Sequence, residues 1–191
     1  DSARRAVEAG FDAVEIHGAN TYLLQQFVSP LTNSRDDAYG HHRLLFPRLV
    51  AQAVIDAVPT GFPIGYRFSP EEPSTPGIDL EITTALIQEL CHLPLSFLHV
   101  SLQNYRQSSI RGEADDTPVI QRILKVIDGR VPLIGVGGIQ SVDSAEDCLA
   151  LGASAVAIGK AAICDPDLPK KFLDRVPAVG WYPRENAIEK L

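Results

Sequence analysis

Five short apolar runs mark the chain, at Ala13–Ile16, Pro63–Phe68, Phe97–Leu102, Val131–Val136 and Ala153–Ile158, and each leads into a stretch of helical character. The last two runs are nearly continuous and built from small residues, as strands covered on both faces are. The first three are interrupted by polar residues. Helices are predicted over Leu44–Val58, Ile82–Leu90, Val119–Ile127, Val142–Leu151 and Pro166–Leu173. Cap chemistry agrees with this reading. Asp79 stands ahead of the helix that carries Ile82, Leu86 and Leu90. Ser141 and Gly152 bracket the one that carries Ala145, Cys148 and Leu149. Asp165-Pro166 places a cap before a proline at the first helical position. Asp1–Ala9 reads as the middle or end of one more helix, closed by Gly10. With no Met at its start, the chain reads as a fragment lacking sequence on the N-terminal side.

Strict alternation of strand and helix argues for an α/β fold, a parallel sheet with helices outside it. Two architectures fit: a (β/α)8 TIM barrel and a doubly wound open sheet. A whole barrel takes about 250 residues, so this chain holds only part of one, roughly the last five βα units. Residues 1–191 read as one domain portion without a linker, and Glu71–Gly77 as an exposed βα loop.

Composition narrows the function classes. Of 191 residues, 45% are apolar and 21% charged, the balance of a globular protein with a core. A net charge of −7 argues against a nucleic-acid footprint, yet it permits a phosphorylated cofactor, because local backbone N–H groups hold a single phosphate. Cys91, Cys148 and Cys164 are too scattered for a disulfide framework or a zinc or iron–sulfur site. No run is long enough to span a membrane, and a reducing cytoplasm is the default compartment. His41-His42, without carboxylates or cysteines nearby, reads as a solvated loop and not as a metal site.

The chemistry concentrates after the first strand. Period-two alternation puts Val14 and Ile16 on one face and Ala13, Glu15 and His17 on the other. If the first pair faces the helices, His17 points to the mouth of the sheet. Asn20 follows across a turn through Gly18. Two such donors on one carbonyl oxygen polarise a conjugated C=C and stabilise the enolate formed on reduction. Tyr22 is then placed as a proton donor to the α carbon. The competing reading makes His17 a core histidine, Asn20 a cap and Tyr22 packing. Arg67, in Gly65-Tyr66-Arg67-Phe68, is costly on a strand unless it meets an acceptor; Glu15 is the structural alternative. Gly137-Gly138 and Gly159-Lys160 follow the last two strands, where backbone N–H groups can cup a phosphate. Turn glycines alone are the alternative. Gln103 and Tyr105 end the third strand and read mainly as loop packing. Trp181-Tyr182 offers an aromatic surface for a partner subunit.

The segment His17-Gly18-Ala19-Asn20-Thr21-Tyr22-Leu23-Leu24, with Phe27, then Ser29-Pro30 and Arg35-x-Asp37-x-Tyr39-Gly40, resembles the Old Yellow Enzyme family of NADH:flavin oxidoreductases. The resemblance runs from Ala3 to about Tyr182 and fits the C-terminal part of that family's FMN-binding barrel. It implies that His17 and Asn20 bind the activating oxygen of an α,β-unsaturated carbonyl substrate, an enone or enal, and that Tyr22 supplies the proton. It implies that Arg67 meets the flavin N1–C2=O edge and that Gly137, Gly138, Gly159 and Lys160 hold the FMN phosphate. NADH or NADPH would be the hydride donor, and a homo-oligomer is compatible. Without a cysteine cluster after Cys164, the iron–sulfur dienoyl-CoA reductase branch is disfavoured. Three positions depart from the pattern. Lys160 stands where relatives have Arg and loses the planar fork. Thr21 replaces a glycine, a smaller departure. His41-His42-Arg43 replaces a longer Gly-Ser-Leu-Glu-Asn-Arg run. An aldolase- or isomerase-type phosphate barrel, or an inactive barrel fragment, are the other readings the chain admits.

Overall fold

The computed structural model describes residues 1–111 and 115–176. Five strands form one parallel sheet: β1 (Val14–Gly18), β2 (Ile64–Phe68), β3 (Phe97–Val100), β4 (Leu133–Val136) and β5 (Ala155–Ala157). Their spatial order is β1-β2-β3-β4-β5. A doubly wound sheet must reverse direction at a switch point. Here spatial order follows chain order throughout, as in consecutive βα units of a barrel. Each strand lies inside, or within two residues of, an apolar run read from the sequence.

The register gives the sheet two unlike faces. Ile16, Tyr66, Leu98 and Leu133 are aligned across four strands, and none is more than 7% exposed. This row meets the helices α4 (Leu45–Ile55), α5 (Leu80–Leu90), α6 (Val119–Ile127) and α7 (Val142–Ala150), whose apolar residues complete the core. The next residue on each strand faces the other way: His17, Arg67, His99 and Ile134 are aligned on the concave face. His17 therefore points away from the helix layer, as the alternation predicts.

The predicted caps hold at two helices. Asp79 accepts the Ile82 N–H at 2.9 Å to start α5. Ser141 accepts the Ser144 N–H at 3.2 Å, and the Ser144 hydroxyl completes a capping box at α7. The third cap is corrected. The last described helix, α9, spans Leu168–Leu173, with Asp167 at the N-cap position making no side-chain cap bond and a proline in its first turn. Asp165 instead is buried and takes the Lys171 ammonium at 2.7 Å, while its carbonyl accepts the Leu168 N–H. Pairing a buried carboxylate outweighed the cap it could have made.

Helix α1 (Ser2–Glu8) matches the expected first helix, and Gly10 at φ 84 turns the chain after it. Three short helices were not foreseen: α2 (Leu23–Val28), α3 (Ala38–His41) and α8 (Lys160–Cys164). They are one or two turns long, too short to display a helical period. His41 ends α3, and both His41 and His42 are exposed. The aromatic pair Trp181-Tyr182 lies outside the described residues. Among the described residues no helix is long and apolar enough to cross a membrane.

One glycine tests the packing of the helix layer. A Cβ on Gly135 would sit 2.6 Å from Cys148 Sγ and 3.3 Å from both Ala153 Cβ and Ile120 Cδ1. Gly135→Ala is expected to lower stability by about 1–3 kcal/mol through overpacking, read as an earlier denaturant midpoint. An unshifted midpoint would show that β4 and α7 do not meet as described.

Candidate active site

The concave face ends in a rim of loops at the C-terminal edge of the sheet. His17 and Arg67 are neighbours in register on β1 and β2, and His99 lies beside Arg67 on β3. Burial and the Arg67 guanidinium hold the His17 imidazole below its ordinary value, and Glu15 only partly opposes them. At neutral pH His17 is therefore a neutral ring. Glu15 does not take Arg67, the pairing weighed from sequence. Its carboxylate instead accepts from His99 Nδ1 at 2.8 Å. Arg67 donates from Nη2 to the Ser101 hydroxyl at 3.1 Å. Arg67 Nε and His99 Nε2 are buried with no partner among the described residues.

Asn20 and Thr21 turn the chain after β1 with φ of 56° and 64°, the left-handed region that side chains other than glycine seldom enter. Long-range hydrogen bonds hold the turn. The Asn20 N–H donates to Ser69 Oγ at 2.9 Å, and Asn20 Oδ1 accepts from Ser101 Oγ at 3.0 Å. The Thr21 N–H donates to Gln25 Oε1 at 3.0 Å. Gln25 in turn donates to the buried Glu72 carboxylate at 2.8 Å, which also accepts from the Ser29 hydroxyl and from the Ile78 N–H at 2.9 Å. The 71–77 loop is thus pinned at Glu72 to α2, which carries the turn. Tyr22 starts α2, is 64% exposed, and places its ring 5.2 Å from that of His17. A cavity of about 350 Å³ opens beside the turn, lined by Asn20, Ser69, Glu71, Ser101, Gln103 and Gln107.

The structure thus brings His17, Asn20, Tyr22 and Arg67 to one rim. Gly137, Gly138, Gly159 and Lys160 stand apart from them, at the ends of the adjacent strands β4 and β5. Gly137 and Gly138 have φ of 126° and 68°, and a Cβ on Gly137 would strike the backbone of Gln103 and Asn104. Backbone geometry and the β3 loop already explain both. Gly159 has neither requirement: its φ is −102° and a Cβ would meet nothing within 4 Å. Lys160 is exposed at the start of α8. Tyr105 donates to Asp147 at 2.6 Å, which is the loop packing expected of it.

Sequence reading passed over His99, Ser69, Ser101, Gln25 and Glu72. Two of these had a signal: in the run Phe97–Leu102, alternation puts Phe97, His99 and Ser101 on one face. The others act across gaps in sequence that no local pattern reveals.

Much of the sequence signature proves to be scaffold. Asp37 accepts the Tyr39 and Gly40 N–H groups at 3.0 and 3.2 Å and pairs with Arg35, which pulls its carboxyl down to about 2. Asn33 donates to the Phe27 and Tyr39 carbonyls at 2.7 and 2.8 Å. Phe27, Tyr39 and Phe46 stack at ring separations of 4.1–6.2 Å. These contacts fold the long connection from β1 to α4 and leave the rim to His17, Asn20 and Tyr22.

The sequence profile of the NADH:flavin oxidoreductase / NADH oxidase family matches residues 1–178. The chain belongs to this family. It is 43% identical over 175 residues to the probable NADH-dependent flavin oxidoreductase YqiG of Bacillus subtilis, covering 87% of this chain and 47% of that protein. It is 42% identical over 181 residues to the NADH:fumarate oxidoreductase of Klebsiella pneumoniae, covering 87% of this chain and 19% of that protein. The solved structure of the old yellow enzyme homologue from Zymomonas mobilis superposes with a TM-score of 0.77 at 28% identity, covering 97% of this chain and 52% of that one. The chain therefore spans about half of the Bacillus and Zymomonas proteins and about a fifth of the Klebsiella protein. Within the NADH:flavin oxidoreductase family, its five βα units are a segment of the Old Yellow Enzyme barrel.

The lowered His17 value is directly measurable. In the flavin-free protein, the His17 ring is expected to titrate below 6.5 by NMR. Arg67→Gln removes a positive neighbour and is expected to move the value upward. The sign for stability follows from linkage. His17's contribution is complete above pH 6.5 and declines as pH falls through the lowered value. A ring titrating at or above 6.5 would contradict the described placement of His17 beside Arg67.

Proposed function

We propose that the protein is an FMN-dependent NAD(P)H oxidoreductase that reduces the C=C of α,β-unsaturated carbonyl compounds, with this chain supplying the carbonyl grip and part of the flavin seat. The observation that carries the reading is the convergence at one rim of His17, Asn20 and Tyr22 with Arg67 and its unpartnered Nε.

The residues suit a flavin. Arg67 Nε is a buried donor without an acceptor, and the acceptor edge of a flavin ring matches that need. Gly159 leaves open space where a phosphate could approach, with Lys160 beside it. Bound reduced flavin supplies a hydride to an electron-poor C=C. The protein's own part is binding and proton handling. His17, as a neutral ring, donates one N–H to the substrate oxygen, and Asn20 donates from its amide. Together they stabilise negative charge that develops on that oxygen. Tyr22, beside His17, gives the proton to the α carbon.

The NADH:fumarate oxidoreductase carries four-fifths of its length outside the aligned part, so its substrate does not transfer directly to this segment. A carbonyl-activated C=C is the chemistry shared by fumarate and enones. NADH and NADPH both remain candidate hydride donors.

The full-length protein is expected to purify yellow, with flavin absorbance. A colourless protein that binds no added FMN would favour the aldolase- or isomerase-type reading. Tyr22→Phe is expected to slow enone reduction by about 10²–10⁴-fold while NAD(P)H still bleaches the flavin in stopped-flow. Enone turnover at the wild-type rate would remove Tyr22 as the proton donor.

A further inference from the structure

Asn20 is useful to a substrate oxygen only if its amide presents NH₂ and not C=O. The two ends of an amide have nearly the same shape, so the hydrogen-bond network must choose between them. We propose that Ser101 is a positioning residue that makes this choice, locking the Asn20 amide with its NH₂ toward the rim cavity. The proposal rests on the carbonyl-binding role given to Asn20 above.

The argument begins at Arg67. A guanidinium donates hydrogen bonds and accepts none. Its Nη2 lies 3.1 Å from Ser101 Oγ, so the serine oxygen accepts there. The single hydroxyl hydrogen of Ser101 must then go to another acceptor. Asn20 Oδ1 is 3.0 Å away and takes it. The direction of the chain, Arg67 to Ser101 to Asn20, is thus fixed by the one member that cannot reverse. A flipped amide would turn its NH₂ toward a hydroxyl already receiving a donor and would leave the serine hydrogen without that acceptor. A flipped amide therefore gives up a hydrogen bond that the observed orientation makes.

Two further observations agree. The Asn20 backbone N–H is held by Ser69 at 2.9 Å, so the residue cannot swing away to satisfy its side chain elsewhere. Asn20 Nδ2 donates to no described residue, and Asn20 and Ser101 both line the cavity of about 350 Å³. Accepting a hydrogen bond at Oδ1 also draws electrons from the amide nitrogen and strengthens its N–H groups as donors. The positive charge of Arg67 enters at the head of the chain and adds to that polarisation.

A double-mutant cycle in the full-length flavin-loaded protein tests this. Two quantities are read: the dissociation constant of cyclohexanone, a saturated ketone that cannot be reduced at C=C, from its perturbation of the flavin spectrum, and kcat/KM for cyclohexenone. Ser101→Ala is expected to weaken both by roughly tenfold, the worth of one well-placed hydrogen bond, with flavin content unchanged. Ser101→Thr, which keeps the hydroxyl, is expected to stay within about twofold of wild type. In an Asn20→Ala background Ser101→Ala should change neither quantity, because a residue acting through Asn20 has nothing left to orient. Should Ser101→Ala not fold, Ser101→Cys, with a weak S–H donor, runs the same cycle with a smaller loss expected. The idea is overturned if the serine variant behaves as wild type, or if it costs the same factor with Asn20 present and absent. Should Asn20→Ala itself leave ketone binding and turnover intact in a flavin-loaded protein, the carbonyl-binding role fails first and this inference with it. If Asn20→Ala impairs both and the serine variant does not, only the role of Ser101 is lost.

Discussion

The pairing register of β1 against β2 is the constraint on which the site depends. It aligns Ile16 with Tyr66 on the helix side and His17 with Arg67 on the concave side. A slip of one residue would exchange the faces. Were β2 the strand to slip, the Arg67 guanidinium would turn into the layer where Leu98 and Leu133 are fully buried, and Tyr66 would turn out of it. Each buried side chain of that layer contributes about 1.5–3 kcal/mol by burial, and a buried guanidinium without partners costs several more. The apolar row therefore fixes where the polar row points. The chemistry at the rim is a by-product of how the core packs on the other side.

The polar row is rich in donors and poor in acceptors. Among the described residues of β1–β3, Glu15 is the one carboxylate on the concave face, and His99 engages it. Arg67 has an unmet Nε, and the Asn20 amide has unmet hydrogens. Such a face suits a ligand that offers acceptors and gathers negative charge. Partial desolvation of the ring, and then repulsion from Arg67, hold the His17 value below its ordinary one. A neutral imidazole can still donate one hydrogen bond while leaving the positive charge concentrated at Arg67.

Local pattern was enough to read the sheet. Alternation in Ala13–His17 orients His17, and the capping residues Asp79 and Ser141 fix the starts of α5 and α7. Asp165 shows where local reading fails, because a buried ion pair with Lys171 competed with the cap and won. The candidate site was legible only where its residues follow one another. His17, Asn20 and Tyr22 are such a group. Ser69, Glu72 and Ser101 are 34 to 81 residues from their side-chain and turn partners in this site, and only the folded sheet and its loops make them neighbours. The glycine signal divides in the same way. Gly137 and Gly138 answer to backbone geometry, whereas Gly159 is required neither by φ nor by packing.

Thr21 carries more weight than a glycine-for-threonine exchange suggests from sequence. It sits at φ 64°, where a β-branched residue crowds its own backbone and a glycine would not. Strain of this kind costs about 1–3 kcal/mol and persists only where the surroundings over-determine the backbone. Here they do. The Thr21 N–H is held by Gln25, Gln25 by Glu72, and Glu72 by Ser29 and the Ile78 backbone. The preceding residue is fastened at both ends, by Ser69 at its N–H and by Ser101 at its amide. The network that keeps Thr21 in an unfavourable conformation is therefore the same one that keeps Asn20 from moving. A turn relaxed by glycine would need less holding, and would specify the direction of the Asn20 amide less firmly.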